Sequence, residues 1–132
     1  MKLLRIVEVL VGEPARIATI DHELTSMQKI VGGFIEVVKL GRPNPDGVEI
    51  VANEEALING LPVNRYVGNA YGTFDGWSYG TFDGWIRGPF FVTRSTRSGN
   101  FASLSEAAAE RVVAMFNNPD RAHYWPKPWM PQ

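Results

Sequence analysis

The feature that most constrains the fold of this chain is its division into short β-branched apolar segments, which glycine and proline separate. The first segment, Leu3–Val11, is apolar at all but two positions and is predicted to form a central strand. Further strands are predicted at 16–20, 34–40 and 48–52. Because the last two flank a turn that contains an Asp-Gly pair, they are predicted to form a hairpin.

Helical periodicity is confined to two segments. The first is predicted at residues 22–31, where apolar side chains recur at helical spacing. Asp21 stands in front of it as the predicted N-cap. Gly32 and Gly33 are predicted to end it, because glycine accepts the left-handed conformation that a C-terminal cap requires.

The second helix is predicted at residues 104–116, where Ser103 and Glu106 have the spacing of a capping box. Strands and helices together predict an α+β fold with a small mixed or antiparallel sheet, in one domain over residues 1–116. The prolines and large aromatic residues of the tail, 117–132, argue against regular structure there. The tail is therefore expected to pack on this subunit or on a neighbouring one.

An octapeptide occurs twice in succession, at 71–78 and 79–86, with seven of eight positions identical. Each copy holds an Asp-Gly pair between aromatic residues, which is a strong signal for a two-residue hairpin turn. Two interpretations remain open. The repeat is either a duplication that only lengthened a loop, or an aromatic hairpin region that continues as a meander into residues 90–92.

The inventory of reactive side chains argues against an enzyme. The chain has no cysteine, and neither of its two histidines, His22 and His123, belongs to a metal-ligand spacing. Glu54 and Glu55 are adjacent, so on a helical turn they point in different directions and form a weak acid-base pair. No phosphate-binding loop, nucleophile elbow or dinucleotide fingerprint occurs. We therefore expect a protein without catalytic residues, bound metal or cofactor.

The distribution of charge also excludes some partners. The formal net charge is −1: residues 1–86 carry 7 Lys and Arg against 11 Asp and Glu, whereas residues 87–132 carry 6 against 3. Neither part is basic enough for duplex nucleic acid. No apolar run reaches the roughly 20 residues of a membrane-spanning helix. At the start of the chain, Met1–Arg5, a charged residue ends the apolar stretch too early for a signal peptide. The expected location is the cytoplasm, without membrane contact.

Arginine and aromatic residues gather in the second part of the chain. Arg87, Arg94 and Arg97 lie within eleven residues of one another, beside Phe90 and Phe91. Guanidinium groups bind phosphate oxygens and aromatic rings stack on nucleobases, so this combination indicates a nucleotide pocket. On one strand Arg94 and Arg97 would face opposite sides, so they need a loop or a partner subunit to meet. The alternative is that the aromatic residues form the core and the arginines are solvated.

Asn64 and Arg65 form a second candidate pair. They lie in a loop beside Pro62, where a polar pair has no obvious packing role, and loops on a rigid scaffold are common binding sites. Asn53, by contrast, precedes a short helical turn and is interpreted as its cap.

The order of several short motifs resembles a family of small phage and plasmid proteins that is catalogued as a domain of unknown function. The resemblance extends over about residues 3–116 and rests on Val31-Gly32-Gly33-Phe34-Ile35-Glu36-Val37-Val38, Asn53-Glu54-Glu55, Leu61-Pro62-Val63-Asn64-Arg65, Gly88-Pro89-Phe90-Phe91-Val92 and Leu104-Ser105-Glu106. The repeated octapeptide and the tail depart from the family pattern. The resemblance implies a phage origin and a compact α+β fold, and it implies no reaction.

The layout is also similar to that of the anti-Thoeris sponges of phages, which bind cyclic ADP-ribose isomers without cleaving them. Some of these sponges take cyclic oligonucleotides and assemble as oligomers. The similarity implies a pocket in which an aromatic ring stacks on adenine and arginines hold the phosphates. The residues of matching chemistry are Asn64, Arg65, Phe90, Phe91, Arg94 and Arg97.

The expected function is that of a non-catalytic phage anti-defence protein in the host cytoplasm. It would sequester a small anionic ligand, a cyclic nucleotide immune signal, and it would be a homo-oligomer. The alternative is a protein inhibitor that docks on a host enzyme through the exposed aromatic hairpins or the tail, since large aromatic residues are common interface anchors. A glycan-binding module is a third class of function, but the expected lack of a secretion signal argues against it.

Overall fold

The protein is represented by a computed structural model, which describes residues 2–40, 44, 46–69, 84–118 and 123–125. Within these residues the chain forms nine strands and two helices. In chain order they are β1 (Leu3–Val9), β2 (Arg16–Asp21), α1 (Leu24–Val31), β3 (Ile35–Lys39), β4 (Val48–Asn53), β5 (Val63–Asn69), β6 (Gly84–Arg87), β7 (Phe90–Ser95), β8 (Phe101–Ala102), α2 (Glu106–Phe116) and β9 (His123–Trp125).

The strands form two sheets. In the larger sheet the order is β2-β1-β7-β4-β3, the short β8 pairs with β7, and all of these pairings are antiparallel. In the smaller sheet β5 pairs antiparallel with β6 and parallel with β9. The predicted α+β fold is confirmed. So are the interior position of β1 and the hairpin of β3 and β4, in which Ile35 lies opposite Asn53.

The larger sheet is covered on both faces, because the side chains of its central strand alternate between two cores. Phe90 belongs to a core that α2 closes with Val112 and Phe116, and that also includes residues of the smaller sheet. Phe91 belongs to a second core, which α1 closes with Met27 and Val31. Both phenylalanines are fully buried. The sheet therefore separates α1 on one face from α2 and the smaller sheet on the other.

The strand that includes the end of the octapeptide repeat, β6, does not continue as a meander into β7. Strand β6 pairs with β5 in the smaller sheet, whereas β7 belongs to the larger one. Gly88 makes the change of direction, with a φ of 76° that favours glycine. A Cβ atom at Gly88 would lie 2.7 Å from Cδ1 of Leu61, so the space there is also filled. Residues 71–83, which hold most of the repeat, lie outside the described residues.

The first helix begins later than predicted. Strand β2 extends to Asp21, which lies opposite Leu3 in the ladder, so Asp21 is a strand residue and not the N-cap. The cap position is Glu23, whose side chain makes no capping hydrogen bond. The predicted end is confirmed, because Gly32 adopts the left-handed conformation and its N–H donates to Gln28 O at 2.8 Å.

The second helix also begins later, and the predicted capping box is wrong. Ser103 Oγ accepts from the backbone N–H of Arg5 at 2.9 Å, and the N–H of Leu104 donates to Arg5 O at 3.0 Å. These bonds tie 103–104 to β1, outside the helix. The helix can therefore start only after them, with Ser105 as N-cap accepting from the N–H of Ala108 at 3.1 Å.

The tail is not wholly irregular. Residues His123–Trp125 form β9, which lies parallel to Val67–Asn69 at the edge of the smaller sheet. An edge strand tolerates proline nearby, because it needs ladder hydrogen bonds on one side only, and none of the three paired residues is a proline. The expectation of no regular structure is therefore wrong for these three residues. The other residues of the tail beyond Asn118 lie outside the described ones.

Replacing Ser105 tests this assignment of the cap. We expect Ser105→Ala to lower the free energy of unfolding by about 1 kcal/mol, because the N–H of Ala108 loses its acceptor. Urea denaturation, monitored by circular dichroism, measures this change in the free energy of unfolding. Ser98→Ala, in an exposed turn, is the control and should stay within about 0.5 kcal/mol of the parent. Equal effects of the two substitutions would contradict the assignment.

Candidate functional site

Asn64 and Arg65 stand at the start of β5, in the interior of the molecule and not in a surface loop. Asn64 is 4% exposed and Arg65 is 0% exposed. The ladder between β5 and β6 is irregular here, with a register shift between Val63 and Arg65. Such a bulge re-aims side chains. The prediction that this polar pair lacks a packing role is wrong.

The guanidinium of Arg65 bonds to backbone carbonyls from distant parts of the chain. Its Nε and Nη2 donate to Phe116 O at 3.1 and 3.0 Å, and its Nη2 also donates to Glu13 O. Its Nη1 donates to Asn64 Oδ1 at 2.7 Å. Phe116 is the last residue of α2, a helix with no basic residue in its last turn. Arg65 therefore brings positive charge to the negative end of that helix dipole.

Asn64 extends the same network toward the larger sheet. Its Nδ2 donates to Val9 O and to Gly88 O, both at 2.9 Å. The two side chains thus bind segments from four places in the sequence. Because their polar atoms are buried and engaged in these bonds, neither residue is presented to a ligand in this structure.

The two phenylalanines of the predicted nucleotide pocket are also inside. Phe90 packs edge-on against Phe116, with ring centroids 5.6 Å apart, and Phe91 lies on the opposite face of the sheet. Neither ring has an exposed face on which a base could stack. The alternative that the aromatic residues form the core is therefore correct for this pair.

Arg94 and Arg97 occupy different surroundings. Arg97 is exposed in the turn between β7 and β8, and half-buried Arg94 donates from Nε to Ser103 O at 3.1 Å. Arg5 of β1 donates from Nη1 to the next carbonyl, Leu104 O, at 3.1 Å. The structure thus brings Arg94 to Arg5 and not to Arg97. Sequence reasoning missed Arg5, because only the order of the strands brings β1 beside β7.

An open groove of about 530 Å³ lies between α1 and the turn that follows β4. Its walls include Gln28 and Lys29 of α1, Phe34 ahead of β3, and Glu55 and Asn59 of the turn. Its volume is in the range of small-ligand and peptide-anchor sites. The charges of Lys29 and Glu55 balance, so the groove itself does not favour anions.

Asn53 and Gly33 form the floor of the groove. Asn53 Oδ1 accepts from the N–H of Glu55 at 2.7 Å, which confirms the predicted cap, and its Nδ2 donates to Val31 O at 3.1 Å. A Cβ atom at Gly33 would lie 2.9 Å from Asn53 Nδ2. Glycine at this position lets the end of α1 approach the turn closely.

Large apolar side chains stand exposed beside the groove. The exposed fractions are 62% for Phe34, 72% for Leu57 and 83% for Ile58. Leu57 and Ile58 belong to the same turn as Glu55 and Asn59, which line the groove. We call Phe34, Leu57 and Ile58 the apolar rim. Sequence reasoning missed it, although two adjacent apolar residues in a polar turn are a signal that could have indicated it.

Two carboxylates lie next to the apolar rim. Partial burial raises the pKa of Glu36 above its ordinary value, and the negative charge of Glu54 raises this pKa further. Among the residues that the structure describes, neither carboxylate has an ion-pair partner. The N–H of Glu54 donates to Phe34 O at 2.8 Å, which holds the turn against the start of β3. We call Glu36 and Glu54 the acidic pair.

The described ranges contain no group of three His, Asp or Glu side chains arranged to hold a metal ion. They also contain no helix that is long and apolar enough to cross a membrane.

Removing the guanidinium of Arg65 separates a structural role from a ligand-binding role. We expect Arg65→Met to lower the free energy of unfolding by about 3 kcal/mol or more, since Phe116 O, Glu13 O and Asn64 Oδ1 lose their donor. Urea denaturation provides the measurement. Arg97→Met, at an exposed position, should change it by less than about 0.5 kcal/mol. A stable Arg65→Met protein would contradict the structural role.

The segments that carry the family resemblance divide between the interior and the groove. Those around Asn64 and Gly88 meet at the buried network, whereas Gly33, Phe34, Asn53 and Glu55 meet at the groove. A family model described as a domain of unknown function, DUF3846, matches residues 1–117. No curated protein and no solved structure matches the chain. The chain belongs to the DUF3846 family of domains of unknown function.

Proposed function

We propose that this protein is a non-catalytic binding protein that docks on another protein through the apolar rim. The observation that carries the proposal is the exposure of three large apolar side chains: Phe34, which lines the groove, and Leu57 and Ile58, in the turn that also supplies lining residues. Exposed apolar patches on small proteins commonly mark interaction sites, and aromatic anchors beside a pocket are typical of interface hot spots.

The energetics favour a partner protein as the occupant. Covering these side chains removes apolar surface from water, which stabilises a complex by about 25 cal/mol per Å² before the costs of association are subtracted. The groove beside them can accept an anchoring side chain from the partner. Such a protein would be an inhibitor of a host enzyme during phage infection, which is the alternative function that the sequence indicated. Its docking surface would be the apolar rim, instead of the aromatic hairpins or the tail.

Site-specific crosslinking tests this proposal. A photoreactive benzoylphenylalanine replaces Ile58, and a second variant carries it at the exposed Glu110 of α2 as the matched control. In cells that hold the natural partner, we expect a crosslinked adduct with a second protein from position 58 only. Adding Phe34→Ser and Leu57→Ser should lower the amount of this adduct about tenfold, because the loss of hot-spot contacts weakens binding. The same adducts from both positions, or none, would contradict it.

A second candidate function is sequestration of a cyclic nucleotide immune signal. The observation that favours it is the pair Arg5 and Arg94, whose guanidinium groups donate to the adjacent carbonyls of Ser103 and Leu104. Each of these groups keeps further N–H donors with which it could bind a phosphate. The assembly of such a sponge as a homo-oligomer is part of the same proposal.

Calorimetric titration with cyclic ADP-ribose isomers and cyclic dinucleotides tests the second candidate. We expect binding that Arg5→Ala and Arg94→Ala each weaken about tenfold or more, as loss of a charge-assisted phosphate contact does. Arg97→Ala is the control, and it should bind like the parent protein. The ligand should return intact after denaturation. No heat from any of these nucleotides with folded protein would rule the function out.

A further inference from the structure

Strand β3 forms one edge of the larger sheet, and it pairs only with β4 in the part of the chain that the structure describes. The bond from the N–H of Glu54 to Phe34 O makes these two opposing residues a hydrogen-bonded pair. Inward-facing backbone groups alternate along an antiparallel ladder. The N–H and C=O groups of Glu36 and Val38 therefore point toward β4, and those of Ile35, Val37 and Lys39 point outward.

The open edge of β3 is continuous with the proposed docking surface. Phe34 of the apolar rim immediately precedes the strand, and Glu36 of the acidic pair lies within it. Val37, in the middle of the edge, is 42% exposed. Lys39 lies opposite Glu49 and, by the alternation of the strand, on the other face of the sheet from Glu36. It does not neutralise the acidic pair.

We propose that the partner docks by adding an extended segment to the open edge of β3, with an apolar residue at the rim and a Lys or Arg at the acidic pair. This inference rests on the proposed protein-docking function and names the chemistry of its partner. Main-chain hydrogen bonds to residues 35, 37 and 39 provide affinity, and the alternate side chains provide specificity.

Charge complementarity selects a basic segment over a second copy of this chain. The acidic pair places two carboxylates near each other at the edge, and the charge of Glu54 adds to burial in raising the pKa of Glu36. A cation opposite Glu36 is a favourable cross-strand pair. A second copy added at the same edge brings another Glu36 and Glu54, so it increases the negative charge that a basic segment neutralises.

Amide NMR titration with two synthetic peptides tests the inference. One peptide alternates valine and lysine, and the matched one alternates valine and glutamate. We expect the lysine peptide to shift the amide signals of Ile35, Val37 and Lys39 in a saturable manner, and the glutamate peptide to leave them unchanged. Glu36→Lys with Glu54→Lys should reverse this preference, whereas Glu110→Lys, a charge reversal on exposed α2, should not alter it.

Val37→Pro tests the backbone contacts separately. Its N–H points outward, so the substitution removes a donor to the partner without removing a bond of the β3–β4 ladder. Binding of the lysine peptide should weaken about tenfold or more. The charge-reversal variants keep the test valid if this variant does not fold. Equal binding of both peptides, or binding of neither, would overturn the inference.

The two proposals can fail separately. If crosslinking from position 58 occurs but Val37→Pro and the charge reversals leave that adduct unchanged, the edge and the acidic pair are not the contact, and the rim alone docks. If no adduct forms from position 58, the docking function itself fails.

Discussion

The buried guanidinium of Arg65 is the interaction on which the rest of the structure depends. A cation in the interior is stable only when its donors are satisfied, and here they bind carbonyls of Phe116 and Glu13 and the side chain of Asn64. Asn64 in turn binds Val9 and Gly88. The network therefore joins the end of α2, the turn after β1 and the smaller sheet. One of its acceptors, Phe116 O, would otherwise be orphaned at the end of α2.

Because this network lies in the interior, the candidate binding features at the surface are formed by other residues. Four of the six residues with nucleotide-binding chemistry, Asn64, Arg65, Phe90 and Phe91, are buried in the interior. The side of the molecule with α1 has an open groove and the apolar rim, and among the described residues the edge strand β3 beside them pairs only with β4. Among the described residues, the eight-residue helix α1 covers that face of the sheet, and Phe34 and the turn after β4 lie at the surface. A binding role at this side and a structural role at Arg65 are therefore separate properties of one fold.

Local rules predicted much of the fold. A run of β-forming apolar residues identified β1, alternation identified β2, and the Asp-Gly turn identified the hairpin of β3 and β4. Glycine chemistry located the end of α1 at Gly32. The same rules failed where a distant strand competes for a capping residue. Ser103 has the sequence of a cap, but the N–H of Arg5 takes its hydroxyl group, so Ser105 caps α2 instead. Asp21 is likewise drawn into the ladder opposite Leu3. The separation of Arg94 from Arg97 and its meeting with Arg5 depend on strand order, which no local pattern encodes.

The sequence by itself determined the class of this protein: a small α+β chain with no cysteine, two histidines and no recognisable catalytic motif. Those properties follow from composition and from periods of two and 3.6 residues, which act over a few neighbours. Tertiary structure decided which polar and aromatic residues are available to a partner. Burial depends on what packs from far along the chain, so it placed Asn64, Arg65 and both phenylalanines inside and left Phe34, Leu57 and Ile58 in solvent.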